Sequence, residues 1–265
     1  MKQYILLLSL LLVVLISLGQ SNQGRIVYER TTKLQIQVND PAFSNSIPRE
    51  RKDKFELLYS GNKTLWRASE EEGPEPEMHW NNGSGAEVRI VVPGSNDVTY
   101  SDLQEQRKVE KKEIFSKEFV VEDSIRRLSW KIGGESKKIL GFDCKMATTQ
   151  RIQPTTRINM DNGEMKREEI MDTAIIRAWF TDAIPGFAGP EIYQGQLPGT
   201  ILEVDVNNGK SHFIALEISP KVDAKEIREP KGKKITPQEF KKERDKMFQQ
   251  MQQNGGGNFQ IRTGN

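Results

Sequence analysis

From Gly24 onward the chain alternates apolar and polar positions, or passes through short apolar runs, and turn residues interrupt it at short intervals. Period two is the signature of half-buried strands. Residues 25–38 (RIVYERTTKLQIQV) alternate throughout and predict a long first strand. Residues 54–60 (KFELLYS) and 64–69 (TLWRAS) flank Gly61-Asn62-Lys63, a hairpin signal. The acidic stretch 70–85 (EEEGPEPEMHWNNGSG) is rich in Pro and Gly and reads as an exposed excursion. Short strands are expected at 87–92 and 98–100 around Pro93-Gly94, and the charged stretch 103–114 fits a strand with solvated alternate positions better than a helix. Further strands are expected at 119–121, 128–132, 138–149 and 172–181. A last hairpin joins 201–206 to 211–218 through Asn207-Asn208-Gly209. Many short strands without helical periodicity predict an all-β fold: a curved antiparallel sheet or open, bowl-like barrel that curls to hide its edges.

Two stretches depart from this pattern. Thr236-Pro237-Gln238-Glu239 is a capping box with Pro at the first helical position, and Phe240, Met247, Phe248 and Met251 recur on one face behind it. An amphipathic helix is therefore predicted over 236–254, stopped by Asn254-Gly255-Gly256-Gly257 and continued by a flexible tail at 255–265. The second departure is 179–204 (WFTDAIPGFAGPEIYQGQLPGTILEV). Two strand-like runs, 175–180 and 200–206, flank a middle with three prolines and four glycines. That middle is too apolar for a solvated loop and too rich in breakers for a regular element. It must cross a folded body, with Pro185, Gly186, Gly189, Pro190, Pro198 and Gly199 setting its backbone and Trp179, Leu197 and Ile201 packing it in place.

The 265 residues carry a net charge of +2, so no nucleic acid or other strongly charged partner is implied. The length suits one β domain over 20–235, with a core of useful size. Met1-Lys2 give a short basic start, 5–18 an apolar run, and Ser17-Leu18-Gly19 small residues before a cleavage point; 1–19 thus read as a secretory signal peptide. The run is shorter than the roughly 20 residues a spanning helix needs. No cysteine directly follows the run, which excludes an acylated lipoprotein start. Cys144 is the single cysteine, so no internal disulfide exists, and its alternation with Phe142 and Met146 marks it as a buried apolar side chain.

Gly195-Gln196-Leu197-Pro198-Gly199-Thr200-Ile201 resembles the signature of the GLPGLI family, exported proteins of Bacteroidetes-type bacteria, with Gln196 and Thr200 departing from it. Residues 117–124 (KEFVVEDS), 137–148 (KKILGFDCKMAT) and 178–190 (AWFTDAIPGFAGP) look like family blocks in the same order, and so does a Met-containing helix ending in glycines. The resemblance implies a fold similar to the bowl-like N-terminal domain of a bacterial glycan-removing amidase (PNGase), more distantly to lipoprotein-carrier-type open barrels. It also implies a location beside TonB-dependent outer-membrane transport systems. It brings no catalytic residues.

Candidate chemistry is sparse. His79 and His212 are the only histidines; with Cys144 they come from three distant segments and show no metal-ligand spacing, so neither a metal nor a cofactor is expected. Cys144 lacks a nucleophile context, and His212 reads as a surface or hydrogen-bonded strand residue. Asp143, Asp182, Glu191 and Glu203 lie near the central segment and could hide a glycosidase-like pair. Asp161-Asn162-Gly163-Glu164 reads as a turn rather than a calcium loop, and Met160, Met165 and Met171 as packing residues. Trp66, Trp80 and Trp130 lie on or beside strands, and Trp179 borders the crossing segment. Phe180, Phe187 and Tyr193 bracket the crossing segment and are the candidate ligand-facing aromatics. Asp123-Ser124 and Asp172-Thr173 fit a short O-glycosylation pattern. The expected function is a non-enzymatic, exported accessory of TonB-dependent transport or assembly, located in the periplasm or at the outer membrane. It would bind an envelope protein, a glycan or a peptide; a carrier of lipid or other apolar cargo is the alternative, and an exported hydrolase ranks below both. The concave face should discriminate: aromatics and acids favour glycan or peptide, aliphatics a carrier, and filling by the Pro/Gly segment a protein-interaction scaffold.

Overall fold

The computed structural model describes residues 22–34, 48–70, 73, 77–81, 87–91, 94–114, 117–161 and 164–253. The expected signal peptide (residues 1–19), residues 35–38 of the expected first strand, the expected helix stop and the expected tail lie outside them. The chain is mostly strand. β1 (Gln23–Lys33), β2 (Glu50–Ser60), β3 (Lys63–Ala68), β6 (Val98–Asp102), β7 (Arg107–Ile114) and β8 (Lys117–Ser124) are succeeded by β9 (Lys131–Ile139), β10 (Phe142–Asp161), β11 (Glu164–Thr181), β12 (Thr200–Val206), β13 (Ser211–Ser219) and β14 (Lys234–Ile235). These twelve form one open, curved sheet in the order β14-β8-β7-β6-β3-β2-β1-β13-β12-β11-β10-β9. Pairing is antiparallel except for the short β14–β8 ladder. The sheet does not close: β9 and β14 are its edges. β4 (Glu77–Asn81) and β5 (Glu87–Val91) make a separate antiparallel pair.

The predicted hairpins at Gly61 and at Asn207-Asn208-Gly209 form, and the second turn takes positive φ at all three residues, 51°, 53° and 83°. Three expectations are corrected. The excursion at 70–85 contains β4, because Glu77–Asn81 gains a ladder with β5 that its Pro/Gly-rich flanks do not advertise. In the stretch 128–132, Leu128, Ser129 and Trp130 are irregular and β9 begins only at Lys131. The stretch 138–149 is broken by a tight turn at Leu140-Gly141, with φ of 49° and 85°. Leucine carries no turn signal, so only the ladder from Phe142↔Ile139 onward reveals this hairpin.

Directly opposed residues share a face, so the register sorts the sheet. The rows Leu57–Ile26, Phe55–Tyr28–Ala215 and Phe213–Val204–Ala178–Ala147 face inward. All of them are buried in one core with Trp66, Ile176 and Phe180. Trp66 on β3 and Phe213 on β13 lie three strands apart, about 14 Å in a flat sheet at ~4.8 Å per strand; their rings approach to 6.2 Å, so the sheet curls towards this face. Asp53, held between Arg30 at 3.0 Å and Arg51 at 2.6 Å, lies beside the core where Arg30 stacks on Phe55.

The outer face is partly covered by the strap that continues from β13. Ile227 seals a small cluster of Leu58, Leu65 and Tyr100. Glu226 then meets Arg67 at 2.7 Å, Glu229 meets Arg107, and Lys234 reaches Glu122 at 2.8 Å. The helix α1 (Pro237–Gln253) follows, its N-terminus fixed by the expected reciprocal capping: the Thr236 amide donates to Glu239 at 2.7 Å, and the Glu239 amide to the Thr236 hydroxyl at 3.2 Å. Phe240 seats the helix on Phe119 of β8, ring to ring at 5.5 Å.

Candidate functional site

The segment between β11 and β12 joins two strands that are already neighbours, so its length is not needed for connection. It leaves the sheet after Thr181, crosses the inner face, makes a 3-10 turn at Glu191–Tyr193 and returns at Thr200. Ile184, Ala188, Tyr193 and Leu197 sink into the core. Its own amides brace it: Gly195 N–H donates to the Phe187 carbonyl at 2.7 Å, and Ile201 N–H to that of Ala188 at 2.8 Å. Tyr28 from β1 donates its hydroxyl to the Ile201 carbonyl at 2.6 Å, and burial pushes that phenol far up.

Two glutamines pin the far end. The Thr64 hydroxyl on β3 donates to the Gln194 side-chain carbonyl, and Gln194 returns its amide to the Glu191 carbonyl at 2.8 Å. Gln196 accepts from the Leu128 amide at 2.9 Å and donates to the Arg126 carbonyl at 3.0 Å, tying the segment to the β8–β9 connector. Gln194 and Gln196 are the anchors that sequence reasoning passed over; two amides at alternate positions in an apolar stretch were the available signal. At Gly199 an added Cβ would stand 2.4 Å from the Thr181 carbonyl oxygen, so a close backbone approach requires glycine there. Leu197, Gly189, Pro190, Gly199 and Ile201 are buried, Pro185 is half-buried and Pro198 exposed. Of the three candidate ligand-facing aromatics, Phe180 and Tyr193 are each 3% exposed and belong to the core, whereas Phe187 is 52% exposed.

The outer face beyond the strap carries a polar cluster on Trp179, which is half-buried. Glu203 lies between Lys137 at 2.5 Å and His212 at 3.2 Å, and Lys137 stacks over the Trp179 ring at 4.4 Å. Burial alone would raise the Glu203 carboxyl; the bonds from His212 and Lys137 outweigh it and hold the group below its ordinary range. The next row sets Arg177, Asp205 and His212 side by side. The other carboxylates near the central segment do not join this cluster: Asp143 pairs with Lys138 and Asp182 with Lys145, both at the surface. Cys144 is fully buried, and burial pushes its thiol up. Among the described residues no group of His, Cys, Asp and Glu could hold a metal ion. An open cleft of about 800 Å³ lies under the strap, lined by Arg25, Glu56, Arg67, Val222 and Glu226; the buried Glu56 already binds both arginines there.

Residues 130–203, from Trp130 through the crossing segment to β12, match a family described as a protein of unknown function (Porph_ging). No curated protein matches the chain. Among solved structures the chain is similar to PNGF-II, determined in P21 and in C2 crystals, with a TM-score of 0.49 and 15% sequence identity in each case. The match covers 83% of this chain and 32% of the other, so the chain spans about a third of that protein's length.

Proposed function

We propose that the protein is an exported, non-enzymatic component of the cell envelope that binds a protein partner through the free part of its outer face. The observation that carries this reading is the filling of the concave face by the chain itself. Ile184, Ala188, Tyr193 and Leu197 occupy the space that a lipid would take in a carrier. A sugar would find Phe180 and Tyr193 already buried. The surface left for recognition is the outer side of β9 to β13, where Lys137, Arg177, Glu203 and His212 stand near the exposed Ile175 and Leu216. A mixed apolar and charged surface on a rigid sheet suits a protein partner.

Location in the periplasm or at the outer membrane rests on the signal-like residues 1–19. Service to a TonB-dependent transporter rests on the resemblance of residues 195–201 to the GLPGLI signature. The test is capture of the exported chain from detergent-solubilised native envelopes, with mass spectrometry of bound proteins, lipids and glycans. A stoichiometric outer-membrane transporter is expected. Bound lipid without protein would replace this reading with a carrier, and an empty bait would refute it.

A further inference from the structure

β10 and β11 pair continuously from Lys145↔Phe180 to Asp161↔Glu164, but their outer neighbours stop early. β9 leaves β10 at Thr148, and β12 leaves β11 at Ile176. Beyond that point, among the described residues, the two strands form an arm with no further strand on either side. An isolated two-stranded ribbon is marginal in water. This one also exposes Ile152, Met171 and Ile175, at 68%, 67% and 47%, on a single face.

The two free edges are not equivalent. The Ile175 amide donates to the Asn207 side chain and its carbonyl accepts from the Asn207 amide, so Ile175 turns its backbone groups towards the β12 side. Strand alternation carries that direction to Thr173, Met171 and Glu169. Met171 stands opposite Pro154, so Pro154 must turn its missing donor to the free edge of β10. The β10 edge is therefore blocked, while the β11 edge offers a full ladder from Glu169 to Thr173.

We propose that the β11 edge pairs antiparallel with β11 of a second copy, about a two-fold axis through Met171. Within the free stretch, the charges and the Asn207 bonds that already occupy Ile175 select this register. A two-fold perpendicular to the sheet sets one residue against itself. Centring on Lys166, Arg167, Glu168, Glu169 or Asp172 opposes identical charges, and centring on Ile170 opposes Glu168 to Asp172. Centring on Met171 opposes Glu169 to Thr173, Ile170 to Asp172 and Glu168 to Ala174, with no like charges facing. It also brings the two exposed Met171 side chains together and forms backbone hydrogen bonds at Glu169, Met171 and Thr173 of each chain.

The test is the solution mass of the full exported chain by sedimentation equilibrium. A dimer is expected for the wild type and a monomer for Met171→Pro, which removes only the outward donor and mirrors Pro154. If that variant folds poorly, single cysteines decide. In the proposed register Met171→Cys faces itself at about 5.5 Å between Cα atoms and forms an interchain disulfide on oxidation. Thr173→Cys lies about 14 Å from its mate and does not cross-link alone. Cys144 is fully buried and offers no competing thiol. A monomeric wild type, a dimer indifferent to Met171→Pro, or cross-linking through Thr173→Cys alone would each overturn the proposal. A monomer that instead binds an extended peptide along this edge would overturn it in favour of a foreign strand.

Discussion

The crossing segment behaves as core rather than as a loop, and Leu197→Ala measures this directly. Leu197 is 4% exposed and packs with Tyr193 and Ile201 against strand residues of the inner face. The substitution removes three buried carbons, worth about 0.8 kcal/mol each, or about 2.4 kcal/mol in transfer alone. The segment is held on both sides of this position, by Gln196 on the β8–β9 connector and by Gly199 against Thr181, so it cannot collapse into the void. A cavity penalty therefore adds to the transfer loss, and a total of about 3 kcal/mol is expected. For a chain of this size that corresponds to a fall in Tm of roughly 6–12 °C. The neighbour Pro198 is exposed, and Pro198→Ala should cost only about 0.4–1 kcal/mol, through the unfolded chain. Urea unfolding of both variants with unchanged slope is the assay. A Leu197→Ala loss below about 1 kcal/mol, or one equal to that of Pro198→Ala, would refute the view that the segment completes the core.

Three further outcomes are expected. Asp53→Ala removes the buried carboxylate that binds both Arg30 and Arg51, and should cost about 3–5 kcal/mol in urea unfolding, whereas Asp182→Ala at the exposed Lys145 pair should leave the urea midpoint nearly unchanged. Gln196→Leu leaves the Leu128 amide and the Arg126 carbonyl without this partner, and faster amide exchange at Leu128 should accompany a loss of about 1–3 kcal/mol. Hydrogen bonds from Arg107 and Lys234 hold the Glu229 carboxyl down to about 2. A depressed carboxylate stabilises above its unfolded value of about 4.3 and loses that contribution as pH falls through its folded one. Glu229→Gln should therefore lower the urea midpoint at neutral pH, and the gap to wild type should narrow from about pH 4 and nearly close by about pH 2; an undiminished gap at pH 2 would contradict the assignment.

Elements governed by local rules were legible in the sequence. Period-two alternation found most strands, Asn207-Asn208-Gly209 found the last hairpin, and the capping box at Thr236 found α1. Where the chain obeys longer-range forces, local rules fell short. Leu140 takes a left-handed turn conformation because the β9–β10 ladder places it there, and β4 forms against β5 despite its breakers. The crossing segment was recognisable from its composition, but its direction was not. That direction is set by Tyr28, Thr64 and the β8–β9 connector, all remote in sequence, which hold Ile201, Gln194 and Gln196. The same remoteness bears on the candidate aromatics: Phe180 on β11 and Tyr193 in the segment border Pro and Gly, and both lie in the core. The recognition surface proposed above is accordingly not the bowl's interior but its outer wall. There the register alone brings together Lys137, Trp179, Glu203 and His212, residues that share no motif and become neighbours only when their strands align.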